Sequence, residues 1–199
     1  IAGAASMMIF NGEGTSPEVL GYTAKKGDTL SRVAAQFGTT VEALVNLNRM
    51  SAADTSLRVG QKISVYKGDW LIKLSPSGRR LYLYDGGKFF KMYPVSVADE
   101  FNSAPGKYSV RTRIKCPVWK NRGRTYPPVS PENILGTRLL ECADPVKDGT
   151  ARPFWIHGTN KPEGVGNRIK GPGFIGMKNE DINELFSIVP SKTAVELMK

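Results

Sequence analysis

His157 is the single histidine of a 199-residue chain. It ends an apolar run, Phe154-Trp155-Ile156, and opens the glycine-rich stretch HGTNKPEGVGNRIKGPGFIGMKN, residues 157–179. An imidazole at a strand end can take a proton from a nucleophile. Glycine turns beside it can aim backbone N–H groups at a developing oxyanion. The frame therefore suits acyl transfer. Between Thr159 and Asn179, however, there is no serine, threonine or cysteine to attack with.

The elements that must hold this stretch read mainly as strands. Leu71–Leu74 and Arg80–Tyr84 flank a Ser75-Pro76-Ser77-Gly78 turn, and Asp85-Gly86-Gly87 turns into a strand near Lys88–Val97. Pro105-Gly106 leads into Lys107–Lys115. Asn179 is placed to cap a helix over Glu180–Phe186, and a last strand falls near Thr193–Met198. Short strands with glycine turns predict a β-sandwich or partly closed barrel with one short helix.

Residues 21–66 follow another pattern. Tyr22–Ala24 reads as a strand. Asp28 or Thr29 caps a helix with Leu30, Val33, Ala34 and Phe37 on one face. Thr39 with Glu42 forms a capping box for a second helix with Val41, Leu44, Val45 and Leu47 apolar. Leu57 and Gly60-Gln61 lead to a strand at Lys62–Val65. The fold class is α+β in two domains: a 1–20 segment and linker, a β-α-α-β module at 21–66, and a mostly-β domain at 69–199. Within the first segment, Asn11–Val19 reads as linker. Ile1–Phe10, IAGAASMMIF, is shorter than the ~20 residues of a membrane span. It reads as the tail of an upstream helix or the stub of a signal, and a membrane anchor upstream of Ile1 stays open.

A net charge of +10 favours polyanionic partners. The cations are dispersed, so no nucleic-acid partner is expected. Cys116 and Cys142 lie in no CxxC pair, and one histidine does not complete a usual zinc set with them. No metal and no cofactor is expected. A disulfide between them or two buried thiols both remain open.

The spacing of Tyr22, Gly27-Asp28-Thr29-Leu30, Ala34, Phe37, Leu44, Asn48, Leu57 and Gly60-Gln61 resembles a LysM domain. The resemblance implies a binder of N-acetylglucosamine glycans, above all peptidoglycan strands. It puts the sugar groove at Gly27, Asp28, Thr29 and Leu30 with Ser56, Leu57, Arg58 and Val59. Residues 69–199 resemble a YkuD-type L,D-transpeptidase through LYLYDGG, the Pro-Gly turn before KYSV, CPVW around Trp119, LGTR, IHGTN and MKNEDI. That resemblance implies acyl transfer between stem peptides through a cysteine thioester, in a bacterial envelope, periplasmic or at the cell surface. His157 matches the family base. Gly158, Thr159, Asn160 and Trp119 match substrate-binding positions, and Gly173 supplies turn backbone.

The resemblance fails at the nucleophile. Phe174 stands at the cysteine position and Gly176 at the arginine position, and the connecting loop is about one residue longer than usual. Pro172 has no N–H to contribute to the turn. A hairpin of Leu139–Cys142 with Pro153–Ile156 would hold Cys142 ~13 Å from His157, against ~3 Å for proton transfer. Nothing aims Cys116 at His157. The expectation is a wall-binding pseudoenzyme, with Phe174 filling the nucleophile pocket near Trp155 or Met177. The alternatives are an active transpeptidase or amide hydrolase with an unrecognised nucleophile, and a protein-interaction scaffold.

Overall fold

The computed structural model describes residues 14, 18–51, 56–128, 130–145 and 152–199. Ile1–Phe10 and most of the linker lie outside these. The strand expected at Tyr22 begins earlier, because β1 spans Val19–Thr23 and pairs antiparallel with β2, Lys62–Tyr66. Val19 thus belongs to the sheet and not to the linker.

Two helices lie between these strands, α1 (Leu30–Gln36) and α2 (Val41–Asn48). Thr29 caps α1, its hydroxyl accepting from Arg32 N at 3.2 Å. Asp28 has a different job: its carboxylate accepts from the Tyr22 hydroxyl and from Lys25 N, both at 2.7 Å. The expected capping box is corrected by one residue. Thr40 is the cap, accepting from Ala43 N at 2.9 Å, which leaves Glu42 one position too early for the reciprocal bond. The apolar stripes meet as expected around Leu30, Val33, Ala34, Leu44, Ile63 and Val65, with Tyr22 edge-on to Phe37 at 5.4 Å.

So small a core leans on its polar staples. Asn48 donates to Leu44 O and Ser64 O and accepts from Ser64 N, at 2.7–2.9 Å. Asn48→Leu strands both backbone groups of Ser64. It is expected to cost about 1–3 kcal/mol in the denaturant unfolding of this module.

The remaining described strands form a curled ten-stranded sheet and a separate hairpin. In chain order they are β3 (Trp70–Ser75), β4 (Arg80–Asp85), β5 (Lys88–Pro94), β6 (Ser96–Ala98) and β7 (Gly106–Lys115), then the hairpin β8 (Trp119–Asn121) and β9 (Arg124–Tyr126). They continue with β10 (Arg138–Ala143), β11 (Phe154–His157), β12 (Arg168–Ile169), β13 (Ile175–Gly176) and β14 (Ala194–Leu197). The sheet runs β12-β6-β13-β11-β10-β7-β14-β3-β4-β5, so the partly closed barrel alternative holds over the sandwich. The long strand expected at Lys88–Val97 is two, β5 and β6. Helix α3 covers Asn179–Ile188, with Ile182, Leu185, Phe186 and Ile188 buried. Alternation is clean on β3, where Trp70, Ile72 and Leu74 are buried and their neighbours only half so.

Candidate functional site

Three short strands set the site. β13 lies parallel to β11 and antiparallel to β6, so Gly176 sits opposite His157 on one side and Ser96 on the other. The central glycine keeps this crossing open. A Cβ at 176 would collide with Ser96 Oγ and approach His157 Cε1 to 4.0 Å. Ser96 is buried and donates its hydroxyl to Gly176 O at 3.2 Å.

His157 is 4% exposed. Its Nδ1–H donates to the carbonyl of Gly158, which makes Nε2 the unprotonated nitrogen of the neutral ring. Burial pushes the imidazole down to about 4, against the smaller opposite pull of that carbonyl. Folding therefore favours the neutral ring. Between pH 6.5 and 4 the unfolded chain binds more protons than the folded one, so the contribution is whole above pH 6.5. It is lost as pH falls through 4, about 3 kcal/mol in all. Urea unfolding at pH 7 and 4.5 should show this loss added to that of the carboxylates held low by their partners, and His157→Gln should keep only the carboxylate part.

Phe174 closes the site. Its ring stacks on Trp155 at 4.8 Å and 17°, and stands edge-on to His157 at 5.5 Å. Its backbone N–H donates back to Pro172 O at 2.7 Å, a three-residue turn through Gly173. Gly173 is pressed on its other side, where a Cβ would meet Glu100 O at 2.8 Å. Pro172 and Phe174 together form a wall shared by two cavities. The one next to His157 has about 410 Å³. Ser96, Thr159, Asn160, Lys161, Glu163 and Lys170 give it polar groups. The other, about 450 Å³, is lined by Trp119 and Trp155. Trp119 is thus absent from the His157 cavity, while Asn160 and Thr159 reach it.

Asn179 ties the frame together. Its amide oxygen accepts from Thr137 N at 3.0 Å and its amide nitrogen donates to Thr159 O at 3.0 Å. The side chain expected to cap α3 instead clamps two loops, and the helix starts at Asn179 itself.

The cysteines are free, Cys116 exposed and Cys142 buried, so they form neither a disulfide nor a buried pair. The β10–β11 register is one residue off the expected hairpin: Leu139 faces His157 and Cys142 faces Phe154. Cys142 is then ~10 Å along the strand from His157, and burial pushes its thiol well above the ordinary range. Cys116 follows β7, a strand separated from β11 by β10, and so lies roughly 10 Å across the sheet.

In the first module the two segments expected to line a groove do meet. Thr29 bridges Ser56, and Leu57 N donates to Asp28 O at 3.5 Å. Leu30 and Leu57 turn their side chains into the core and offer only backbone. Ser56, Arg58 and exposed Val59 line a cavity of about 590 Å³ with Met50, Gly60 and Gln61. Gly27 sits at φ +85, where glycine is unstrained.

Comparison with known families settles what this frame is. The LysM domain family matches residues 22–65, and the YkuD family, the L,D-transpeptidase catalytic domain, matches residues 69–197. The chain belongs to the YkuD family of L,D-transpeptidases. The putative L,D-transpeptidase YkuD of Bacillus licheniformis is 30% identical over 187 residues, 90% of this chain and 99% of the relative. Its Bacillus subtilis namesake is 28% identical over 90% of this chain and 99% of its own. The fold agrees with a crystal structure of an L,D-transpeptidase from Mycobacterium tuberculosis, at TM-score 0.51 and 15% identity over 92% of this chain and 90% of that one. Within the transpeptidase frame, Ser96, Lys161, Glu163 and Lys170 carry no local motif. Only strand register and loop packing bring them to the His157 cavity.

Proposed function

We propose that this protein is a peptidoglycan-binding member of the cell envelope whose transpeptidase site no longer turns over. The LysM domain holds glycan strands, and the cavity beside His157 holds stem peptides without cutting them. The observation that carries this is the phenyl ring of Phe174 edge-on to His157. A phenyl ring has no lone pair to attack a carbonyl and no proton to give. The turn behind it supports the same reading, since the N–H of residue 174 is spent on Pro172 O and does not face an oxyanion.

Lys161 and Lys170 on the cavity suit the carboxylates of a stem peptide. The net charge of +10 suits an anionic wall. Among the described residues no helix is long and apolar enough to cross a membrane.

The test is mass spectrometry of the purified protein with disaccharide-tetrapeptide fragments, beside sedimentation with sacculi. A blank for released D-alanine, cross-linked dimers and acyl adducts, together with co-sedimentation, is the expected result. An acyl adduct above background would overturn it and locate a nucleophile. Failure to co-sediment would favour a protein partner for the same groove.

A further inference from the structure

The cavity on the Trp119 side of the Pro172–Phe174 wall is built differently from the one beside His157. It has about 450 Å³, within the usual range of ligand pockets. Trp119, Trp155 and Phe174 supply rings, and Ile114, Val118, Leu135 and Leu139 supply apolar walls. Polar groups are few: Lys120, Asn121 and Glu141. Each tryptophan is stacked on a second ring. Trp119 stacks on Tyr126 at 4.9 Å and 27° across the β8–β9 hairpin, and Trp155 stacks on Phe174. Rings held in place this way lose little freedom when a ligand arrives. Ile114 and Val118 remain 39% and 49% exposed at the groove edge.

The charge around this groove is one-sided. From Lys115 to Pro131 the chain carries Lys115, Lys120, Arg122 and Arg124, all exposed, and no acidic residue. Among the described residues Lys120, Arg122 and Arg124 have no acidic partner. The one carboxylate on the groove, Glu141, is already held by Arg111 through bonds of 3.1 and 2.5 Å. The hairpin tip is also strained. Arg122 and Gly123 form its two-residue turn at φ +47 and +76. The first of these positions suits asparagine or glycine, and an arginine there costs about 1–2 kcal/mol.

We propose that this groove is a second saccharide site, taking a pyranose ring of an acidic polysaccharide. The C–H face of the sugar lies against the Trp119 and Trp155 rings, whose faces are electron-rich. Its hydroxyls meet Asn121 and Lys120, and its carboxylate or phosphate substituents meet the hairpin cations. A neutral glycan leaves those cations unused. A membrane surface is flat and fits the concave groove poorly. The LysM domain family matched by the same chain makes a saccharide the favoured occupant over nucleic acid or lipid. The proposal does not rest on loss of catalysis.

The experiment uses the full chain and follows tryptophan fluorescence and affinity against five probes. These are polygalacturonate, neutral dextran, polyphosphate, single-stranded DNA and phosphatidylglycerol vesicles. Polygalacturonate is expected to bind best, to shift the tryptophan emission and to weaken with added salt. Trp119→Ala, and separately the triple variant Lys120→Ala, Arg122→Ala, Arg124→Ala, should each lower that affinity about tenfold or more. Binding of chitin oligomers should be unchanged in both, which also reports that the chain is folded. Trp119→Phe should keep most of the affinity. Dextran binding as tight as polygalacturonate overturns the proposal. So does equal or tighter binding of polyphosphate, DNA or vesicles, affinity untouched by Trp119→Ala, or no binding of polygalacturonate.

Discussion

Phe174→Cys is expected to leave turnover at the level of the blank, with no released D-alanine and no cross-linked dimer. The base is not what fails. His157 is neutral at pH 7, and its Nδ1–H is fixed on Gly158 O, so Nε2 is the nitrogen that carries the lone pair a thiol proton needs. The expectation rests on the place where charge would develop. The N–H of residue 174 is bound to Pro172 O at 2.7 Å, and Pro172 has no N–H to offer in its stead. Each missing oxyanion donor removes about 10²–10³ in rate. Gly176 presents no side chain to the substrate, and restoring an arginine requires the Ser96 hydroxyl to swing away from where its Cβ must go. Intact-protein mass spectrometry after incubation with tetrapeptide fragments reads the outcome. A slow, non-turning adduct on the introduced thiol fits this account. Many turnovers per protein would sink it, and would show a site complete but for one sulfur.

Gly136→Ala is expected to lower the stability of the transpeptidase domain by about 2–5 kcal/mol. Gly136 holds φ +61, which an alanine adopts only under strain. Its Cβ would also stand 2.5 Å from Gly158 C and 2.6 Å from Thr159 N, and would meet Asn179 Oδ1. Two of these three neighbours are backbone of the loop that follows His157, and backbone cannot turn aside as a side chain can. The third is the amide that ties Thr137 to Thr159. Urea unfolding followed through tryptophan emission should show an earlier midpoint. A midpoint within experimental error of the parent would mean the loop yields freely, and the clamp would then be no clamp.

Local pattern carried most of the secondary structure. β3 and β4 are legible because one face is buried and the other is not, and α1 and α2 because their apolar residues recur at helical spacing. The differences are small shifts. Thr39 and Thr40 are both sound caps, and the backbone of Thr40 is the one that is extended at the helix start. Asn179 also reads as a cap, but its amide is drawn to Thr137 and Thr159, which come from distant parts of the chain. The β10–β11 register slipped by one because a hairpin pattern does not say which pair comes first.

The amino-acid sequence by itself determined the two families, the position of His157 and the lack of serine, threonine or cysteine between Thr159 and Asn179, because those are matters of residue type and order. Tertiary structure alone decided three things. It decided that Ser96 and His157 flank Gly176, since that follows from β13 running parallel to β11 and antiparallel to β6. It decided that the cysteines stay apart, one buried and one exposed. And it decided that Pro172 and Phe174 divide one groove into two cavities of unlike chemistry. Each is a distance between residues far apart in the chain, fixed by strand register and packing, which no local spacing encodes.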